Sequence, residues 1–412
     1  MTALRTLQKI QAYIDRYGWR SAVRRGRGEI GRIIAGKAAM RIANRGRVIE
    51  AYEAILGYEQ GSADPDVLKA APRDSITWLV PDFSPGSGGH TTIFRFLHGL
   101  EKRGWHNQTV VVQKPYRWAN PDDALNTIRK HFFPLEHTRV VLGAENIPPS
   151  RFLFATGWQT ANWVAKYKDA VNRFYFVQDF EPSFYAMGTD HLLAEATYRL
   201  GLRAITAGDW LKDKLAADYG METQSISFSC DHDIYAPAER PESGAEKTVF
   251  FYARPATSRR AFELGLLALN RVCQARDGVT VLFAGWDLDG YKIPFRHVDA
   301  KVVTPAALAG MFRQSDAALV LSTTNLSLMP LEILSTGCPL VINRGPNNEW
   351  LIDESVATFC DLTVEGIAEA TLAALAGGAE IAAKRDNGLA FSRNTDWDRE
   401  AEKLNGYLNA CP

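Results

Sequence analysis

The sequence predicts an α/β protein with two doubly wound, parallel-sheet domains and a helical N-terminal extension. From residue 75 onwards, short apolar runs alternate with amphipathic helical patterns, which is typical of parallel sheets covered by helices on both faces. The same alternation begins again after a Pro- and Glu-rich stretch at residues 236–246. The chain has 412 residues, enough for two or three domains.

Residues 1–73 are expected to form a basic helical extension and a linker. Apolar residues follow helical spacing at Leu7, Ile10 and Ile14. Residues 1–50 hold 12 Lys or Arg against 3 Asp or Glu. Such a segment suits either a solvated helix that packs on the main body or a contact with anionic lipid headgroups.

Composition indicates a cytoplasmic protein, and the lipid-contact alternative for residues 1–50 would place it peripherally at the inner face of the plasma membrane. No apolar run approaches the roughly 18 residues of a membrane span, and the N-terminus lacks a signal-peptide pattern. The five cysteines are scattered and odd in number, which favours a reducing compartment over a disulfide framework.

The first α/β domain is assigned to residues 74–235 and the second to residues 236–392. Residues 393–412 are expected to form a helix that crosses back to the first domain. The expected strands are, in order, Ile76–Val80, Thr109–Gln113, Arg139–Leu142, Phe152–Ala155, Phe174–Gln178, Ala204–Ala207, Thr248–Tyr252, Val279–Ala284, Ala317–Leu321, Pro339–Ile342 and Ala357–Phe359.

Two loops lie between a predicted strand and a predicted helix, which is where ligands bind in open α/β sheets. The glycine-rich run from Pro85 to His90 would present backbone amides and a helix dipole to an anion, although a tight turn would use the same residues. The run from Arg254 to Arg260 is basic. Cations at a helix N-terminus oppose the helix dipole unless an anion joins them, so this loop indicates a bound diphosphate.

A third motif runs from Leu321 to Val341 and reads as a strand, a polar loop, a short helix and a second strand. The helix is expected to begin near Pro330 and to stop at Gly337. Glu332 falls in its first turn. A carboxylate there stabilises the helix dipole by itself, or it accepts hydrogen bonds from vicinal hydroxyls of a ligand.

The run from Pro330 to Val341 resembles the donor-site signature of the retaining GT-B glycosyltransferases of family 4. Arg254 and Arg259 resemble the Arg and Lys of that family's basic loop. Residues 230–235 resemble its hinge, and the matches follow in order over roughly residues 75–410. The runs 177–185 and 323–332 are similar to those of rhamnosyltransferases that build bacterial surface polysaccharides.

The resemblance implies a nucleotide-sugar donor, with dTDP-L-rhamnose favoured, a glycan or lipid-linked glycan acceptor, and retention at the anomeric carbon. Glu332 would hold the ribose hydroxyls, and Arg254 and Arg259 would hold the diphosphate and stabilise the leaving group. The other residues implied in the site are the candidate base Asp179, the loop glycines Gly88 and Gly89, and the backbone amides at Leu328 and Met329. No metal or other cofactor is expected, because arginines can replace the cation, and no nucleic acid partner is expected.

Two departures from the family pattern concern the sugar and the base. Thr324 stands where the family often has a Glu that contacts the donor sugar, and Asp179 or Phe180 stands where its acceptor-side His is expected. A sugar-nucleotide 2-epimerase of the same architecture stays open as an alternative, as does a non-catalytic glycan- or nucleotide-binding module. A nicotinamide dehydrogenase is disfavoured, because the spaced glycine fingerprint is missing.

Overall fold

The computed structural model describes residues 48–239 and 244–411. The chain divides into two compact units, residues 1–57 and residues 58–412. The first unit contributes one described helix, α1 (Val48–Leu56). Most of the predicted basic extension, residues 1–47, lies outside the described residues. The second unit holds two parallel sheets.

The first sheet has seven strands, and the chain enters it in the middle. Its strands are β1 (Ser75–Val80), β2 (Asn107–Val112), β3 (Arg139–Leu142), β4 (Ser150–Ala155), β5 (Ala170–Val177), β6 (Arg203–Ala207) and β7 (Thr223–Ile226). Their order is β3-β2-β1-β4-β5-β6-β7, with every neighbouring pair parallel. Trp78 of β1 pairs with Val110 on one side and with Phe154 on the other. The direction of winding therefore reverses between β1 and β4, which opens a crevice at their carboxyl ends.

Six helices connect these strands or precede them. They are α2 (Pro65–Ala70), α3 (Gly88–Glu101), α4 (Pro121–His131), α5 (Trp158–Lys166), α6 (Thr189–Ala196) and α7 (Asp209–Tyr219). All six residues of β1 are buried, as expected for a strand covered on both faces. Aromatic rings fill one of these faces, where Trp78 stacks on Phe154 at 4.3 Å and Phe154 on Phe174 at 5.0 Å.

The second sheet repeats this plan with six parallel strands. They are β8 (Lys247–Tyr252), β9 (Val279–Ala284), β10 (His297–Asp299), β11 (Ala317–Val320), β12 (Leu340–Asn343) and β13 (Thr358–Cys360), and the order is β10-β9-β8-β11-β12-β13. The accompanying helices are α8 (Phe262–Ala275), α9 (Pro305–Gln314), α10 (Met329–Ser335), α11 (Pro346–Glu349), α12 (Val364–Ala376) and α13 (Ala379–Arg393). Winding reverses here between β8 and β11, so the loops after these two strands flank the second crevice.

The last helix, α14 (Trp397–Ala410), packs against α3 of the first domain. Its buried face, which includes Leu404 and Leu408, belongs to the same core cluster as β1. The two helices approach closely, because a side chain at Gly99 would begin only 2.7 Å from Cβ of Ala401. The indole of Trp105 donates to Asn405 Oδ1 at 2.9 Å, which fixes the far end of α14.

The predicted strands correspond to eleven of the thirteen strands in the described part of the chain, but β7 and β10 were not predicted. Both lie at a sheet edge, and both carry mostly polar or exposed residues. They lack the apolar runs that buried strands need, so no pattern in the sequence predicts them.

No single helix in the described residues is long and apolar enough to cross a membrane. The helices α12 and α13 meet the length and composition test only when joined, across a bend of 91°. Helix α12 packs against α8 and the second sheet.

Candidate functional site

The glycine-rich loop after β1 borders a cleft between the two sheets. Helix α3 begins at Gly88, and Ser87 precedes it without a side-chain hydrogen bond to the helix amides. No atom lies within 4 Å of the point where a side chain at Gly88 would begin, and one at Gly89 would meet the amide of Gln178 at 3.5 Å. The start of α3 thus borders open space, as an anion site at a helix N-terminus requires.

Two of the predicted arginines lie on the loop that follows β8. The guanidinium of Arg254 lies over the ring of Tyr252, 5.0 Å from its centre. That of Arg259 lies 4.1 Å from the ring centre of Phe184, a residue of the first domain. Stacking on an aromatic face holds a guanidinium in one orientation while its donors stay available to an oxyanion.

Arg260 is a third cation at this place, and the sequence analysis did not assign it to the site. Its Nη1 donates to the Ser322 hydroxyl at 2.6 Å, which ties the β8 loop to the β11 loop. Burial lowers the pKa of Arg260 to about 10, an effect that Arg259 and Arg254 strengthen and Asp179 opposes. Its guanidinium is therefore a charged group with little water around it, and such a group binds an anion strongly.

Asp179 follows β5 and joins the two domains. One carboxylate oxygen, Oδ1, accepts hydrogen bonds from the backbone amides of Phe180 and Asn325, both at 2.8 Å. The other, Oδ2, accepts from the Thr324 hydroxyl at 3.0 Å and lies 3.2 Å from Nε of Arg259. The side chain is buried, and both of its oxygens contact donors of this chain.

Glu332 lies in the first turn of α10, as predicted, and reaches the cleft. Burial, together with the charge of Asp231, raises the pKa of this carboxyl to about 7, and a hydrogen bond with Tyr235 and the charge of Arg95 act in the opposite direction. When it is ionised, a buried carboxyl such as this one accepts hydrogen bonds from a ligand well, because few water molecules or protein donors compete for its oxygens.

All eight residues predicted for the site line one cavity of about 660 Å³. They are Gly88, Gly89, Asp179, Arg254, Arg259, Leu328, Met329 and Glu332. The first three belong to the first domain and the others to the second. The cavity lies where the two topological switch points face each other, and its size is within the range of small-molecule sites.

Parts of the chain match two domain families. Residues 145–207 match the family described as WsaF, N-terminal domain, and residues 247–372 match WsaF, C-terminal domain. The chain is also 30% identical over 364 residues to the O-antigen biosynthesis protein RfbC of Myxococcus xanthus. That match covers 85% of this chain but only 28% of the relative, so the chain spans little more than a quarter of the RfbC protein.

Solved structures with the same architecture include two proteins of low sequence identity. Sucrose-phosphate synthase from Thermosynechococcus elongatus superimposes with a TM-score of 0.63 at 13% identity, covering 81% of this chain and 98% of its own. HepE from Anabaena, in complex with UDP and glucose, gives a TM-score of 0.63 at 14% identity and covers 82% of this chain and 100% of its own. The chain has the GT-B fold.

In this GT-B fold an ion pair joins the segment 230–235, which connects the two sheets, to the first domain. Arg95 of α3 forms two hydrogen bonds with Asp231, at 2.7 and 2.8 Å. Its guanidinium lies between the rings of Phe133 and Trp397, at 4.9 and 4.7 Å. This planar pair links residues 230–235 to the first domain, the Arg95 guanidinium also contacts α14, and both charges influence Glu332 electrostatically.

The GT-B cleft also contains a carboxyl that the sequence analysis missed. Glu181 lines the cavity, and its Oε2 accepts a hydrogen bond of 2.6 Å from the backbone amide of Trp158, at the start of α5. Burial raises the pKa of Glu181 to about 8, and Asp179 adds to that effect. Glu181 could have been found in the sequence as a carboxyl residue two positions after Asp179. Only the fold shows that the two side chains reach the same cavity.

Within residues 48–239 and 244–411, one group of three acidic side chains lies close enough together to share a metal ion. It contains no predicted site residue. That group is Asp287, Asp289 and Asp299, none of which lines the cavity. The ammonium of Lys301 already contacts Asp287 and Asp289, at 3.2 and 3.0 Å.

Proposed function

We propose that this chain is a glycosyltransferase that moves a sugar from a nucleoside-diphosphate donor to a hydroxyl of a glycan acceptor in surface-polysaccharide synthesis. One observation carries the proposal. Two guanidinium groups, a carboxyl and the glycine loop, which come from three separate chain segments, line a single cavity between the domains of a GT-B fold. The RfbC relative, which is named for O-antigen biosynthesis, supports the polysaccharide context.

The donor would bind against the second domain. Arg254 and Arg259 would hold the diphosphate and stabilise the negative charge that develops on the leaving group. Glu332 would accept hydrogen bonds from the hydroxyls of the nucleoside sugar, two in a UDP donor and the 3′-hydroxyl alone in a dTDP donor, and the backbone amides near Leu328 and Met329 would contact the transferred sugar or the phosphate. In this scheme the arginines supply the positive charge that a metal supplies elsewhere, so transfer would need no divalent ion.

The acceptor would approach from the first domain, past the glycine loop. Gly88 and Gly89 leave that approach open, since no side chain projects from either of them. An acceptor linked to a lipid would account for the basic residues 1–50 as a contact with the inner face of the plasma membrane, on the cytoplasmic side. Testing that contact requires vesicles of anionic and of neutral lipid.

We further propose L-rhamnose, carried by dTDP, as the transferred sugar, with retention of its anomeric configuration. The support is the similarity of residues 177–185 and 323–332 to rhamnosyltransferases, since Thr324, where family 4 often has a Glu, is buried against Asp179 and does not line the cavity. The stereochemistry is read directly from the anomeric NMR signal of the early product. An inverted product would contradict retention without affecting the donor site.

The test is acceptor-dependent release of nucleoside diphosphate by the full chain, with dTDP-L-rhamnose and UDP-glucose offered in parallel. Arg254→Ala and Glu332→Ala should each lower kcat/KM by about a hundredfold, the effect of removing one group that stabilises the transition state. The matched control is Arg271→Ala, which removes an exposed arginine from α8. Near-normal activity in both site variants would refute the site.

The same assay separates the alternative functions. A 2-epimerase converts the sugar nucleotide when the acceptor is left out, whereas a transferase consumes it only when the acceptor is present. A non-catalytic binding module binds the nucleotide in calorimetry and releases no product with any donor.

A further inference from the structure

The carboxylate of Asp179 is already engaged by groups of this chain. A carboxylate offers about four lone-pair sites, and here three hydrogen bonds use most of them while Nε of Arg259 lies 3.2 Å from Oδ2. The side chain is 8% exposed, so it can accept a proton from an acceptor hydroxyl only if one of these contacts breaks.

Most of these contacts cross between the domains. Thr324, Asn325 and Arg259 belong to the second domain, while Asp179 ends a strand of the first. The side chain of Asn325 adds two more bonds across the same boundary, donating to the backbone oxygens of Gln178 at 3.0 Å and Ala207 at 2.6 Å. The loop after β11 is thus held against the carboxyl ends of β5 and β6.

That loop leads directly into the donor wall of the cavity. It continues through Leu328 into α10, which carries Glu332. A shift of the loop would therefore move the predicted ribose-binding carboxylate and the backbone amides together. Rate depends steeply on such placement, because a displacement of about 1 Å can cost about a hundredfold.

The same carboxylate fixes Arg259. Its guanidinium is held between Oδ2 of Asp179 and the ring of Phe184, both contributed by the first domain. A cation held in this way needs no reorganisation when a diphosphate arrives. The negative charge of Asp179, however, also repels the diphosphate, so it weakens binding in the ground state.

We propose that Asp179 is a positioning residue, which sets Arg259 and the β11 loop for transfer, and that another group takes the acceptor proton. This inference rests on the proposed function for its kinetic part only. Its binding part requires only that the cavity binds a nucleoside diphosphate, whether or not the chain transfers sugar.

The first test is Asp179→Asn in the full chain. The amide keeps an oxygen for the Asn325 backbone amide and can donate to the Thr324 hydroxyl, but it carries no charge. Titration calorimetry should show dTDP or UDP binding about tenfold more tightly, while kcat falls about tenfold or more. The control Asp122→Asn removes an exposed carboxylate from α4 and should change neither value.

The nucleotide affinity and the kcat of Asp179→Asn together distinguish the possible roles of Asp179. Loss of kcat with unchanged nucleotide binding would assign Asp179 as the base and overturn the proposal. Weaker nucleotide binding would also overturn it, because Asp179 would then be only a structural support for the site. If the wild-type chain binds nucleotide but transfers no sugar, the proposed function fails, and the calorimetric shift still decides the role of Asp179.

A second variant, Thr324→Val, tests the interdomain contact without changing any charge. It removes the hydroxyl that donates to Oδ2 and keeps nearly the same side-chain volume, so it covers the case in which Asp179→Asn fails to fold. A positioning role predicts a several-fold fall in kcat, since the loop loses one bond, with the nucleotide Kd within about twofold of the wild type. An unchanged kcat would overturn the proposal.

Discussion

The carboxyl of Glu332 is expected to destabilise the ligand-free protein at neutral and alkaline pH. Burial and Asp231 raise its pKa from 4.5 to about 7 in the folded state. The folded protein therefore keeps a proton that the unfolded chain releases as pH increases from about 4.5 to about 7. Glu332→Gln, which has nearly the same shape and no charge, removes this penalty.

The size of the penalty follows from the pKa. Each pKa unit corresponds to about 1.4 kcal/mol, so ionising Glu332 in the folded state costs about 3 kcal/mol. The sign is fixed by linkage: a raised carboxyl pKa gives stability below the unfolded pKa that is lost as pH rises through the folded value. Glu332→Gln should be more stable than the wild type by under about 1 kcal/mol at about pH 5 and by about 3 kcal/mol at about pH 8.

Urea unfolding at both pH values measures the effect, as a shift of the midpoint at constant slope. The matched control is Glu365→Gln, which removes an exposed carboxylate from the first turn of α12 and should be neutral at either pH. Equal stability of Glu332→Gln and the wild type at about pH 8 would refute the reasoning.

The same variant should bind nucleotide less well, although it is more stable. An amide offers one acceptor oxygen where a carboxylate offers two, and hydrogen bonds to a charged group are worth about 1.5–3 kcal/mol. Calorimetry at about pH 8 should show UDP affinity, which depends on both ribose hydroxyls, reduced by about tenfold or more. Undiminished binding would show that Glu332 does not contact the ligand.

Three other substitutions test how the site is supported. Gly208→Ala should cost about 1–3 kcal/mol of unfolding free energy, because φ is +95° and the new Cβ would come within 2.4 Å of the Trp350 ring. Leu404→Ala should cost about 2–5 kcal/mol, since the side chain is fully buried; hydrogen exchange of α14 would show the loosening. Arg95→Met should raise the pH midpoint of nucleotide binding, because Arg95 lowers the pKa of Glu332.

The sheets and the positions of the binding loops could be predicted from the sequence alone. Parallel strands covered on both faces need continuous apolar runs, and runs such as 76–80 and 317–321 have that form. A proline at the start and a glycine after the end indicated the short helix that carries Glu332. Because ligands bind at the carboxyl ends of parallel strands, these local signals predicted a ligand loop at Arg254, and the family resemblance implied that Glu332 shares its ligand.

The contacts between the domains were decided only by tertiary structure. Periodicity and turn chemistry act over a few residues, so they carry no information about which carboxylate meets Arg259. The answer, Asp179, lies in the other domain, as does the backbone that Asn325 contacts. The burial that raises the pKa of Glu332 and lowers that of Arg260 likewise arises only when distant segments enclose them. Desolvation and pairing depend on the neighbours of a group in space, and the fold alone determines those neighbours.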